Sequence, residues 1–195
     1  MKLYIDPGTG SMLFAVLIGI IGAVAYVFKE WAVKLKFLLT GGKKADTNTE
    51  KIPIVIFSDD KRYWSVFKPI CEEMNSRGID VVYMTASKDD PAFDENLQHL
   101  DAQFIGEGNR AFSKLNFLNA TMLISTTPGL DVFQWKRSKN VDYYVHVLHA
   151  ASNTCGYHMF GIDYYDAVLI SGNHHERDIR ALEKIRNLPA KELVM

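Results

Sequence analysis

Residues 52–84 place the strongest constraint on the fold. Residues 52–57 (IPIVIF) form a β-rich run closed by Ser58, Asp59 and Asp60, a turn or N-cap cluster. Residues 63–77 then carry Trp64, Phe67, Ile70, Cys71 and Met74 at helical spacing, and Gly78 stops the helix. Residues 79–84 (IDVVYM) read as a second strand. Strand, helix and strand within about thirty residues make a βαβ unit, which requires parallel strands and a right-handed crossover.

The alternation continues to the last residue. Residues 102–105, 122–125, 142–148 and 167–170 read as strands, and 110–118 and 173–187 as helices. Residues 191–195 look like the opening of another strand. The predicted class is α/β, a Rossmann-like doubly wound sheet over residues 52–195. Because the chain stops inside an expected element, Met195 is not expected to be a natural domain boundary.

Ahead of this domain, no charged residue occurs between Asp6 and Lys29. Residues 11–28 (SMLFAVLIGIIGAVAYVF) would rise about 27 Å as a helix at ~1.5 Å per residue, close to a ~30 Å hydrocarbon core. Gly19 and Gly22 suit a membrane helix better than a soluble one. The start MKLYIDPGTG and the run KEWAVKLKF after the span offer no signal-peptidase site. Lys29, Lys34, Lys36, Lys43 and Lys44 follow the span, so the positive-inside rule puts residues 1–10 outside and the main domain in the cytoplasm. Lysines alternating with Trp31, Val33, Leu35 and Phe37 suit the anionic headgroup layer of a membrane. Residues 29–51 are thus a basic juxtamembrane segment and polar linker.

Composition narrows the function classes. A net charge of −1 gives no footprint for nucleic acid. Cys71 and Cys155 lie far apart, without CxxC spacing, so neither a disulfide framework nor a zinc site is expected. The histidine pair His174-His175 has no carboxylate or cysteine partner at metal spacing, and no metal or cofactor is predicted. Ser171 or Asn173 should cap the helix there. His158, between aromatic residues, reads as packed.

Three stretches are candidates for a site at the carboxyl ends of the strands, where open α/β sheets bind ligands. His149 ends the run VHVLHA and stands before a small-residue turn, where an imidazole can accept a proton near neutral pH. His146, three residues earlier, faces the other side of the strand and reads as structural. Thr126 and Thr127 open the turn TTPGLD, which is either a ligand loop or a tight turn with Asp131 capping a following helix. Lys136 and Arg137, with Lys139, form a solvated face, a phosphate contact or a membrane contact. The pattern Gly106-Glu107-Gly108 holds two of the three glycines of a dinucleotide fingerprint and reads as a plain turn.

Two blocks, TTPGLDVFQWKRSKNVDYYVHVLHA (126–150) and FGIDYYDAVLISG (160–172), resemble the amino-terminal half of CDP-glycerol glycerophosphotransferases. The start YIDPGTGS before an apolar segment is similar to membrane-anchored members of that family. The resemblance covers most of residues 52–195. It implies the first Rossmann-like domain of a two-domain GT-B transferase at the inner face of the bacterial cell membrane, building teichoic-acid-type polymers. It also implies that His149 is the base for the acceptor hydroxyl, which attacks the β-phosphate of CDP-glycerol and releases CMP. Thr126, Thr127, Asp131, Lys136 and Arg137 would then contact acceptor or phosphate. The implied partners are CDP-glycerol, a membrane-linked polymer acceptor and anionic lipids.

Many members carry His-Gly-Thr-Pro where this chain has His149-Ala150-Ala151-Ser152, a departure that fits a different donor or acceptor. The family's nucleotide contacts come largely from its second domain, so the resemblance implies no transfer by these 195 residues alone. Two other readings stay open: a non-catalytic membrane-anchored recruitment module, and a sugar-nucleotide glycosyltransferase of the same fold.

Overall fold

The structure is a computed structural model that describes residues 51–150 and 159–195. The expected span at 11–28, the basic segment through residue 50, Cys155 and His158 lie outside the described residues. Among the described residues, no helix is long and apolar enough to cross a membrane.

The elements run β1 (Ile52–Ser58), a 3-10 turn (Lys61–Tyr63), α1 (Trp64–Ser76), β2 (Val81–Thr85), a second 3-10 turn (Pro91–Asp94) and β3 (Leu100–Phe104). After these come α2 (Asn109–Leu115), β4 (Ala120–Ser125), β5 (Val141–Val147), β6 (Ala167–Leu169), α3 (Asn173–Arg186) and β7 (Glu192–Val194). The described strands form one sheet in the order β3-β2-β1-β4-β5-β6-β7, and every neighbouring pair is parallel. This is a Rossmann-like α/β sheet. Its order reverses between β1 and β4, so the switch-point crevice opens where those two strands end.

Side-chain alternation assigns the faces. Val55 and Phe57 point to the side where α2 supplies Ala111 and Leu115. Ile56, one residue between them, points to the side where α1 supplies Trp64, Phe67 and Cys71. Phe67 is fully buried, and an aromatic of that size stabilises the fold by ~2–3 kcal/mol relative to exposure. On the α2 side, α3 adds Ile179 against Val168 and Ile170. The α1 side of β4–β7 keeps a groove of about 340 Å³ between Met74 of α1 and the sheet residues Met122, Ile124, Val145 and Leu169.

Local chemistry explains where the elements stop. Gly78 follows α1 with φ +68°, a left-handed conformation that costs little without a Cβ. Its N–H and that of Ile79 close the helix on Asn75 and Met74 carbonyls. Asp60 caps the first 3-10 turn by accepting from the Arg62 N–H at 2.9 Å. The edge strand β3 is largely solvent-exposed and polar (Asp101, Gln103), which discourages further strand pairing.

One of two open alternatives falls, and one expectation needs correction. No helix follows Asp131: the segment from β4 to β5 is a turn and extended chain. Asp131 takes φ +63° and its N–H donates to the Trp135 carbonyl at 2.8 Å. Trp135 then packs edge-on to Phe57 at 5.4 Å and stacks on Phe112 at 6.0 Å, so one buried aromatic covers the sheet in place of the helix that the capping alternative required. The residue before α3 is Gly172, with no side-chain cap. The Ser171 hydroxyl lies instead 3.3 Å from Nδ1 of the buried His175.

Candidate active site

The crevice is built by strand register. Phe57 of β1 pairs with Ser125 of β4, and Ser125 with His146 of β5. Continuing the same rows past the strand ends brings Asp59 beside Thr127, and Leu148 and His149 beyond them. Residues distant in sequence thus meet at one edge, because each directly follows a buried strand.

His149 stands just past β5 and is exposed. Its ring packs on Tyr63, centroids 4.8 Å apart and planes tilted by 58°. Tyr63 ends the turn that leaves β1, and the Arg62 guanidinium sits 6.0 Å from its ring centroid on that same turn. The contact gives the imidazole one wall, and His149 is otherwise exposed.

His146 is its opposite. It is fully buried, 4.9 Å from the Tyr165 ring, on the α2 side of the sheet. Burial pushes its imidazole down to about 3, with repulsion from His149 a smaller contribution. It is therefore neutral at any ordinary pH, in keeping with a structural role.

Four carboxylates lie along the ends of β1 and β2, and three are engaged locally. Asp60 caps its turn and pairs with Arg62. Asp89 pairs with Lys61. Asp90 is buried and accepts from the Thr85 and Tyr83 hydroxyls and from the Ala92 N–H. Asp59 is the exception. One flank meets solvent, yet the packed strand ends around it push its carboxyl upward by desolvation. Thr127 and the charge of His149 pull it back toward ionisation, and Asp60 adds to the upward push.

Thr126 and Thr127 are buried, and neither hydroxyl has a hydrogen-bond partner of ordinary length among the described residues. Buried hydroxyls without partners are uncommon; here they flank the crevice. The Thr127 carbonyl accepts from Tyr165 at 2.5 Å and its N–H donates to Ser125 Oγ at 3.0 Å, which fixes the turn.

The remaining sequence candidates lie elsewhere. Lys136 Nζ donates to the Asp131 carbonyl at 2.9 Å and stands 4.0 Å from its carboxylate. Arg137 pairs with Asp166 at 2.8 Å, donates to the Tyr164 carbonyl and lies 4.5 Å over the Tyr144 ring. Asp166 precedes β6, at the amino-terminal end of that strand, so Arg137 points away from the crevice. The crevice thus gathers Thr126, Thr127 and His149 but not Arg137. It adds Asp59 and Tyr63, which the sequence presented only as turn and helix-start residues. Gly106-Glu107-Gly108 forms a turn into α2, with Glu107 3.4 Å from Lys88. Among the described residues, no three His, Cys, Asp or Glu side chains are grouped to hold a metal ion.

Comparison of the chain with protein-family models, curated proteins and solved structures returns no match. The functional reading therefore rests on the crevice for its base and on the sequence resemblance of 126–150 and 160–172 for its donor.

Proposed function

We propose that the domain forms the acceptor-activating wall of a membrane-associated phosphotransferase of the CDP-glycerol glycerophosphotransferase type, with His149 as general base. The observation that carries this reading is the exposed imidazole at the end of β5, beside the switch point, braced on one side by Tyr63 and open on the other. In the proposed step, His149 takes the proton of an acceptor hydroxyl as that oxygen attacks the β-phosphorus of CDP-glycerol. The bond from phosphorus to the bridging oxygen breaks, and CMP leaves with the electron pair. The acceptor gains one glycerol phosphate, and the proton stays on the imidazole until solvent removes it.

Phosphoryl transfer also needs groups that hold the phosphates and balance their charge. The two cations named for that task, Lys136 and Arg137, are engaged in the turn before β5, and the crevice is bordered by carboxylates. This wall accordingly suits the hydroxyl-bearing acceptor better than the pyrophosphate, which the reading assigns to a second wall. The same reading places the domain at the inner face of the membrane, tethered by the apolar segment at 11–28.

The test uses membranes from cells expressing the protein, where whatever completes the cleft is present. CMP release from CDP-glycerol and incorporation of glycerol phosphate into membrane-bound polymer are followed for wild type and His149→Gln. Loss of a general base lowers the rate by ~10²–10⁴. Unchanged incorporation in the variant overturns the reading in favour of a recruitment module. Incorporation from a sugar nucleotide but not from CDP-glycerol overturns the assigned donor.

A further inference from the structure

We infer that the surface carrying Phe117, Phe133, Lys114 and Lys139 docks the domain onto an anionic lipid bilayer. The inference rests on the membrane placement in the functional reading and not on the chemistry assigned to His149.

Two large aromatic side chains near the end of α2 face water: Phe117 is 80% exposed and Phe133 68%. In that position neither ring contributes the stabilisation that burial gives. The Asn116 side chain holds their two segments together. Its Nδ2 donates to the Gln134 carbonyl at 3.0 Å, and its Oδ1 accepts from the Lys136 N–H at 2.7 Å. Phe117 directly follows Asn116 and Phe133 directly precedes Gln134, so neighbouring stretches of backbone carry the two rings. Trp135, buried and stacked on Phe112, anchors the second stretch to the domain. Two lysines join them. The Phe117 N–H donates to the Lys114 carbonyl at 3.1 Å. Ser138 and Asn140 hydrogen-bond to Leu118 and Ala120, which sets Lys139 at the same edge, by the amino-terminal end of β4.

Charge selects the partner. The carboxylates of Asp131, Asp142 and Asp166 are already paired, with Lys136, Lys51 and Arg137. Lys114 and Lys139 are exposed and have no ion pair among the described residues. Protein interfaces favour aromatic residues but are depleted in lysine. Exposed aromatic rings with lysines beside them suit the headgroup layer of an anionic bilayer, where each lysine adds attraction. The start of the domain lies at this edge as well. The Ile52 N–H, at the opening of β1, donates to the Asn119 carbonyl at 3.2 Å. The chain that leads back to the lysine-rich segment 29–44 therefore leaves the domain two residues from Phe117. The crevice lies at the other ends of the strands, about 20 Å away along the six residues of β4, so docking at this edge leaves His149 accessible.

Hydroxyl-radical footprinting of the full chain reads this surface directly. The protein is reconstituted into lipid discs of phosphatidylcholine alone and of equal parts phosphatidylcholine and phosphatidylglycerol, and oxidation of individual side chains is followed by mass spectrometry. Oxidation of Phe117 and Phe133 should fall several-fold in the anionic discs relative to the neutral ones, while Ile185, 84% exposed on α3, keeps its rate. Two lysines near an anionic surface contribute a factor of roughly 30 to docking. Lys114→Gln combined with Lys139→Gln, folded by its urea midpoint, should therefore return both rings to their rate in neutral discs. High salt should do the same for the wild-type chain. Equal oxidation of the two rings in both kinds of disc overturns the inference. So does protection that appears only in native membranes, which assigns the surface to a protein partner. Failure here is distinguishable from failure of the functional reading. Transfer that needs His149 without protection of the rings removes only the docking surface, whereas protection with transfer indifferent to His149 removes the assigned chemistry and leaves the surface standing.

Discussion

His146 and His149 leave the same stretch of β5 three residues apart, one inside the strand and one just past its end. His146 lies against Tyr165 between the sheet and the segments that cover it, and burial holds it neutral. His149 has solvent on one side, Tyr63 on the other and a carboxylate within electrostatic reach. The side chain is the same in both places. What differs is whether the ladder still runs at that residue. Within it, a side chain on this covered sheet is enclosed by the core; beyond it, the chain is released into the crevice. Parallel sheets bury both faces but leave their ends open, and the proposed proton chemistry uses the end.

The comparison can be sharpened by substitution. The largest effect on stability concerns His146 and acid. Its folded-state value, about 3, lies below that of an unfolded histidine, so the unfolded chain binds more protons between those two points. The associated stability is complete above about pH 6.5 and is lost as pH falls toward 3, in total roughly 5 kcal/mol. Urea unfolding at pH 7 and pH 4.5 should show this loss in wild type and a smaller one in His146→Gln. An equal loss in both proteins assigns the acid sensitivity to other groups.

Arg137 comes next. Removing it breaks the pair with Asp166 and uncovers the Tyr144 ring while leaving a half-buried carboxylate. Arg137→Ala should cost ~1–2 kcal/mol in urea unfolding, with the KM for donor and acceptor unchanged in the membrane assay. A KM raised tenfold with stability intact restores Arg137 as a ligand contact. The smallest effect belongs to Tyr63→Leu. Its ring contact with His149 is worth about 0.5–1 kcal/mol, and loss of that wall should reduce transfer a few-fold. Unaltered transfer shows that His149 needs no brace.

The sheet was legible in the sequence because buried parallel strands are short apolar runs, and the runs at 52–57, 122–125 and 142–148 are each closed by small or polar residues. Helix α1 was legible from its spacing and from Gly78. The segment after β4 was not. A turn led by Pro128 and Gly129 invites a helix after it, but the fold meets the need for burial with the single side chain Trp135. Thr126, Thr127 and His149 were readable as strand-end residues. Asp59 was not, since beside Asp60 it looks like one more turn carboxylate. Only the pairing of β1 with β4 brings it to Thr127, and pairing between distant strands leaves no mark in local sequence.

The central claim is that His149 is the working base and His146 a structural histidine, and the two glutamine variants test it together. For each, the rate of glycerol phosphate transfer in membranes and the urea midpoint of the purified chain at pH 7 are measured. The account predicts a crossed result: His149→Gln loses ~10²-fold or more in rate and keeps its midpoint, while His146→Gln loses stability and keeps its rate per folded molecule. Transfer that survives in His149→Gln and fails in a folded His146→Gln would contradict it.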